Sequence, residues 1–186
     1  MADNFKFEQI SEPVLRRIGD TLKSLCNTKL TQETSFETKP IEVTEEDTMY
    51  TSAFSKLHVS GYIAYSYFYP DSGAKEKNKP CGVAVVYMKD VGAVKFLAAL
   101  GHENTDYEDK ALVKQMVGDV CNNITEGIQN ELSNQGYGGL EISRPSSHKD
   151  LVEGGVLFPK KIKDLTEISV FMWDAKPVVI DLVLDI

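Results

Sequence analysis

The sequence lacks the features of secreted, membrane-spanning and metal-binding proteins. Its three cysteines, Cys26, Cys81 and Cys121, form no C-x-x-C pair, which is a common spacing in zinc and redox sites. An odd number of cysteines predicts reduced thiols and therefore a cytoplasmic location. No uninterrupted apolar run reaches about 18 residues, so no membrane-spanning helix is expected. Residues 1–7 mix charged and aromatic side chains, which is not the pattern of a signal peptide.

Basic segments are also scarce, and the net charge is −8. Nucleic-acid binding depends on Lys and Arg side chains that neutralise phosphates. With this net negative charge we expect no nucleic-acid partner. A short basic cluster at residues 159–163 is typical of a solvent-exposed loop. His58, His102 and His148 fall in different predicted elements, so we expect neither a metal nor a cofactor bound by this chain.

The length predicts a single domain over residues 1–186. A first helix is predicted from Pro13, because proline suits the first helical position. Apolar residues then recur at helical spacing as far as Cys26. A polar segment that ends near Pro40 predicts a short edge strand.

Two strands and a short helix are predicted next. Residues 57–69 and 81–88 are dense in β-forming side chains, and the polar segment between them reads as a loop. Asp90 is expected to cap a helix over residues 91–100. This helix would bridge two halves of the chain.

The second half predicts a long helix over residues 108–134 and a short strand, 140–143, that runs into Pro145. Strands over 166–173 and 178–186 follow, joined by a turn at 174–177. In the last strand the alternation of Leu and Ile with Asp predicts one buried face.

Each half therefore contains a helix, a short strand and a strand pair. The half-repeats cover residues 11–89 and 107–186, with the helix 91–100 between them. This order predicts an α/β (α+β) fold: a mainly antiparallel sheet that carries two long helices related by a pseudo-twofold axis.

The long helix separates into two faces when about 100° is assigned to each residue. With Leu112 placed at an angle of zero around the helix axis, the apolar stripe is centred at about 100°. The opposite face, at about 280° to 340°, carries four polar side chains: Gln115, Asp119, Asn122 and Glu126. Asn123 lies at the margin of the stripe. Asp119 and Asn122 are three residues apart, so their side chains are neighbours on the outward face.

The segment from Gly118 to Asn122 resembles the phosphatase helix of the CheC/CheX/FliY family of chemotaxis phosphatases. The family motif is an acidic residue, two others, Asn, twenty-two further residues and Pro; here 145 − 122 − 1 = 22 residues separate Asn122 from Pro145. Residues 88–101 resemble the connecting helix of the family. The resemblance covers most of the chain by the order of its elements and implies a CheC-like domain.

The resemblance implies action on the aspartyl phosphate of a CheY-type response regulator. In the family, the Asn orients the attacking water and the acidic residue pairs with a lysine of the receiver domain, roles that fall here to Asn122 and Asp119. Gln115, Glu126 and Pro145 are then expected to contact the partner, and Mg²⁺ is expected on the receiver. The first helix has no acid–Asn pair, as in the single-site CheX type. Such domains often dimerise, and an exposed sheet edge offers a route.

Three positions depart from the family pattern. Asp119 stands where the family has Glu, Gln115 replaces an Asp or Ser, and Glu126 replaces a frequent Gly, which occurs here as Gly127. These departures leave open a non-catalytic receiver-binding or scaffold module, similar to the switch-protein members that lack the acid–Asn pair. An unrelated structural domain with the same order of elements is a further alternative.

The position of Gly127 also permits a second register that uses Asn123. That register puts Val120 at the acidic position, breaks the proline spacing and turns the Asn toward the core. The register with Asn122 is therefore preferred.

Overall fold

The structure is a computed structural model, and it describes residues 13, 16–17, 20–21, 24, 33–40, 60–102, 106–150, 152, 155–159, 164–172 and 175–185. The described residues of the predicted N-terminal helix are all helical: Pro13, Arg16, Arg17, Asp20, Thr21 and Ser24. Some predictions fall outside this set: those for residues 1–7, Cys26, His58 and most of the basic cluster, 160–163.

In the described residues, seven strands form one sheet in which every pairing is antiparallel. The order is β1-β6-β7-β3-β2-β4, and β5 also pairs with β2. The strands are β1 (Glu33–Pro40), β2 (Gly61–Tyr69), β3 (Gly82–Lys89), β4 (Glu141–Ile142), β5 (Ser146–Lys149), β6 (Asp164–Met172) and β7 (Ala175–Leu184).

The strand order is symmetric. Apart from β4, the order is β1-β6-β7-β3-β2-β5, and exchanging β1 with β5, β6 with β2 and β7 with β3 gives the same order read from the other end of the sheet. The hairpins β2–β3 and β6–β7 meet where β3 pairs with β7, and β1 and β5 each pair with the hairpin of the other half. This arrangement confirms the predicted pseudo-twofold, mainly antiparallel α/β fold.

Outside the N-terminal segment, the described helices are α1 (Ser72–Glu76), α2 (Asp90–Ala99) and α3 (Lys110–Asn134). The short helix α1 lies in the predicted loop, where the Asp71 side chain accepts the Ala74 N–H and caps it. None of the helices in the described part of the chain combines the length and apolar character needed to cross a membrane.

The predicted capping role of Asp90 is wrong. Lys89 occupies the N-cap position of α2, without a side-chain cap bond, and Asp90 is the first helical residue. The Asp90 carboxylate instead accepts a bond from Lys149 Nζ at 2.7 Å, because β5 brings that ammonium group to the start of α2. The orientation of the Asp90 carboxylate is therefore set by Lys149, which is distant in sequence, and not by the residues next to Asp90.

Both faces of the central strands are buried. Apolar side chains of β2, β3, β6 and β7 pack under α2 and α3 on one face. On the other face, Val83, Val85 and Val183 pack with Val156 and Phe158 from the segment before β6. The expectation of one buried face for the last strand is therefore wrong, and Asp181 and Val183 are buried as well.

One strand was not predicted, and the last strand begins earlier than predicted. The polar strand β5 follows Pro145 and was not expected, because Ser-Ser-His-Lys has few β-forming side chains. β7 begins at Ala175 and includes Pro177, at an irregular step in the pairing with β6, where a missing N–H is tolerated. β1 lies at one edge of the described sheet and β4 and β5 lie at the other, and dimerisation through an edge stays a prediction.

Candidate functional site

The helix α3 presents one side to the sheet and the other to solvent. Asp109 precedes it, and its carboxylate accepts the N–H groups of Ala111 and Leu112, which fixes the start of the helix. The buried arc is wider than the predicted stripe, since Gly118, Cys121 and Thr125 are buried too.

The strand β5 explains the wider arc. A Cβ atom built on Gly118 would lie 3.3 Å from Ser147 Oγ, so α3 passes close to β5. Because the sequence does not predict β5, it also does not predict burial on that side of the helix. The glycine leaves the space that the strand fills.

The predicted site residues of α3 lie on its outward side. Gln115, Asp119 and Glu126 are exposed, and Asn122 is half-buried. Pro145 is also half-buried and immediately precedes β5, whose Ser147 faces Gly118, one helical turn before Asn122. The fold therefore brings the segment after Pro145 to the flank of α3 that carries Asn122.

The Asn122 amide has a defined orientation. Its Nδ2 donates a hydrogen bond to Glu126 Oε1 at 2.7 Å, one turn further along α3. An ionised carboxylate only accepts hydrogen bonds, so the nitrogen of the amide must face it. Within the described part of the chain, the Asn122 Oδ1 accepts no hydrogen bond, which leaves this oxygen available to an incoming water or partner.

The Asp119 carboxylate is available in the same way. Among the described residues it has no hydrogen bond or ion pair, and it is exposed. Cys121 lies between the two candidate residues in sequence, but it is fully buried, and burial raises the pKa of its thiol to about 12. This thiol stays protonated at neutral pH, so thiolate chemistry does not belong to this site.

The expectation that Asn123 turns toward the core is wrong. Asn123 is exposed, and the burial beyond the predicted stripe lies on the Gly118 flank of α3, next to Asn122 and away from Asn123. Burial therefore no longer separates the two registers, and the preference for Asn122 rests on Asp119 and the proline spacing.

Asn123 lines a groove between the N-terminal helix and α3, with a cavity volume of about 280 Å³. The groove is polar, and α3 contributes Asn123, Glu126, Gly127 and Asn130. Its lining from the N-terminal helix is Arg17, Asp20, Thr21 and Ser24. None of these four was predicted as a site residue, because no pattern in the sequence shows which face of the N-terminal helix lies against α3.

Gly127 sets the distance between the two helices. A Cβ atom at this position would lie 2.6 Å from Thr21 Oγ1. Overpacking of this kind costs about 1–3 kcal/mol, whereas Ala favours a helix over Gly by about 1 kcal/mol. We expect Gly127→Ala to destabilise the wild type by about 1 kcal/mol, and to stabilise a Thr21→Ala background by up to about 1 kcal/mol.

Urea unfolding of the four proteins in this double-mutant cycle measures both values. If Gly127→Ala changed the free energy of unfolding equally in the two backgrounds, the close contact with Thr21 would not be what excludes a side chain.

The Asn122–Glu126 bond was also not predicted as such. Its signal was present in the sequence, since an amide and a carboxylate four residues apart on a helix are neighbours. The sequence predicts Glu126 as a partner contact, and in the structure its carboxylate accepts a hydrogen bond from the candidate catalytic amide.

Comparisons with known proteins locate the fold. No protein-family model matches the chain, and no curated protein matches it. The structure is similar to CheX of Borrelia burgdorferi, solved as a complex with CheY, BeF₃ and Mg²⁺, with a TM-score of 0.56 and 14% identity over 94% of this chain and 97% of that one.

Two further structures extend the likeness. FliY of Thermotoga maritima has a TM-score of 0.54 and 14% identity over 99% of this chain and 92% of that one. The FliM middle domain of Vibrio alginolyticus has a TM-score of 0.58 and 12% identity over 95% of this chain and 92% of that one. These likenesses confirm the CheC-like fold predicted from the sequence; at such identities they establish the fold and not an activity.

Proposed function

We propose that this chain, which has the fold of the CheC/CheX/FliY proteins, promotes hydrolysis of the aspartyl phosphate of a CheY-type receiver domain. The proposal is carried by one observation. Asp119 and Asn122 lie one turn apart on the outward side of α3, and Glu126 holds the Asn122 amide in one orientation. If this side of α3 docks on a receiver, the Asn122 amide oxygen and the Asp119 carboxylate both face the receiver.

In the proposed reaction the Asn122 Oδ1 accepts a hydrogen bond from a water and directs its lone pair at phosphorus. The water oxygen forms the new P–O bond while the bond to the aspartyl oxygen breaks, and the released proton passes to the phosphate. Phosphoryl transfer depends mainly on positioning and charge stabilisation, so an amide suffices on the side of this chain. Mg²⁺ bound by the receiver would neutralise charge on the phosphate.

Asp119 is proposed to hold the docked geometry by pairing with a lysine of the receiver. Its carboxylate is exposed and has no partner among the described residues, so pairing would break no internal bond. The complex of Borrelia burgdorferi CheX with CheY supports a receiver as the class of partner. The proposal places the chain in the cytoplasm with that partner, in a chemotaxis-type two-component pathway.

The test is a dephosphorylation assay. Each receiver domain of the same cell is phosphorylated with a small phosphodonor, and its decay is followed with and without the chain. We expect the decay of at least one receiver to become about tenfold faster or more, and the chain to bind that receiver when it is trapped with BeF₃ and Mg²⁺. Unchanged decay for every receiver would refute the catalytic proposal.

A non-catalytic receiver-binding or scaffold module is the second candidate. It is favoured by Asp119, whose carboxylate reaches about 1.5 Å less far than a Glu carboxylate on ordinary C–C bond geometry, and small misplacements cost up to about 100-fold in rate. The structure is also similar to the FliM middle domain, so this fold is not confined to proteins named CheC, CheX or FliY. Tight binding of the trapped receiver with unchanged decay would favour this candidate.

A further inference from the structure

We infer that Glu126 is a positioning residue, which fixes the amide of Asn122 so that its oxygen faces the attacking water. The inference deepens the proposed function and rests on it. In the family resemblance this position is often Gly, so the contact is a property of this chain and not one carried over. It gives Glu126 a role within the site in place of the partner contact expected from the sequence.

The first step of the argument is the chemistry of the bond. Asn122 Nδ2 lies 2.7 Å from Glu126 Oε1. An ionised carboxylate only accepts hydrogen bonds, so only the nitrogen end of the amide can face it. The two ends of an amide point in different directions from the same carbon atom, so the Oδ1 is turned away from Glu126.

The second step is the effect of losing the carboxylate. The terminal torsion of Asn is broad and roughly two-fold, so an amide without a fixed partner presents either its oxygen or its NH₂ group. The NH₂ group cannot accept a hydrogen bond from water, so it cannot direct the lone pair of the water at phosphorus. Glu126 removes the unproductive orientation before the receiver docks, which is the kind of preorganisation that lowers a reaction barrier.

The helix supplies a matched control. Gln135, the C-cap residue of α3, donates from Nε2 to Glu131 Oε1 at 3.2 Å, which is a second amide–carboxylate pair four residues apart. Truncating Glu131 removes the same type of bond near the end of the same helix, away from Asn122. Any effect of a lost helical pair on stability should therefore appear in both variants.

The experiment compares Glu126→Ala, Glu126→Gln and Glu131→Ala in receiver dephosphorylation. We expect Glu126→Ala to lower kcat about tenfold, with KM within about threefold of wild type. Glu126→Gln should stay within about threefold, because its amide oxygen accepts the same bond, and Glu131→Ala should resemble the wild type. In an Asn122→Ala background, Glu126→Ala should have no further effect on kcat.

A readout independent of activity follows the bond itself. The side-chain amide ¹H–¹⁵N signal of Asn122 should shift in Glu126→Ala and stay in place in Glu131→Ala. A raised KM with unchanged kcat would make Glu126 a partner contact and overturn the inference, as would an equal loss of kcat with and without Asn122. Full activity of Glu126→Ala beside an inactive Asn122→Ala would refute the inference alone. An inactive wild type would refute the proposed function and the inference with it.

Discussion

Replacing Asn122 by Ala is expected to lower kcat for receiver dephosphorylation by about 100-fold or more. The amide oxygen is the only group that this mechanism assigns to holding the water, so without it the water near the phosphate has no fixed direction of attack. Affinity for the receiver trapped with BeF₃ and Mg²⁺ should stay within about threefold, because Asp119 and the rest of the outward side of α3 remain. Single-turnover decay and a binding titration measure the two quantities.

Asn123→Ala is the matched control for this variant. It removes the same amide from the adjacent residue of the same helix, where the side chain is exposed and lines the groove beside the N-terminal helix. We expect kcat within about twofold of wild type, and a free energy of unfolding within about 1 kcal/mol for both variants, as for most surface substitutions. A large loss in Asn123→Ala with a normal Asn122→Ala would transfer the site to the second register.

The outward position of the site could be predicted because it depends on one helix alone. The spacing of Val113, Val117 and Ile124 fixes the side of α3 that meets the sheet, and Asp119 and Gln115 then lie opposite. The exposure of Asn122 and Asn123 could not be predicted in the same way. The half-burial of Asn122 depends on β5, a strand whose side chains carry no β-strand signal, and Asn123 lines the groove beside the N-terminal helix.

The strands and hairpins that each half repeats could be predicted from the sequence. The burial and contacts of a side chain could not be predicted where they depend on an element distant in sequence. The hairpins β2–β3 and β6–β7 follow from runs of β-forming residues. The burial of Asp181 does not, since it depends on Val156 and Phe158 covering the second face of the sheet. The same reason applies to Asp90, which meets Lys149 across the sheet and does not cap its own helix.

Gly82→Ala is expected to destabilise the protein by about 2–4 kcal/mol. A Cβ atom at Gly82 would lie 2.6 Å from the Val183 carbonyl oxygen and 2.7 Å from Leu184 Cδ2. The first of these atoms belongs to the backbone of β7, so no change of rotamer relieves the contact. At about 2–4 °C per kcal/mol for a chain of this size, the melting temperature should fall by about 4–16 °C.

Relief would require the end of β7 to move, and its position is held from both sides. Gly82 pairs with Leu184 across the β3–β7 contact where the two halves meet, and the Asp185 N–H donates to the Cys81 carbonyl at 2.6 Å. Separating the strands there would break these backbone bonds or leave them strained, and either adds to the steric cost. The effect should therefore appear as global destabilisation and not as local fraying.

Gly138→Ala is the control for the change of glycine to alanine. A Cβ atom at Gly138 would meet nothing within 4 Å, so this variant should stay within about 0.5 kcal/mol of wild type. Denaturant unfolding monitored by circular dichroism compares the two, and a Gly82→Ala protein that fails to fold agrees with the expectation. Equal stability of the two variants would contradict it, because the close approach of β7 to Gly82 would then impose no cost. The expected difference arises because Gly82 lies where the two half-repeats join, and a side chain there pushes against the backbone of the other half.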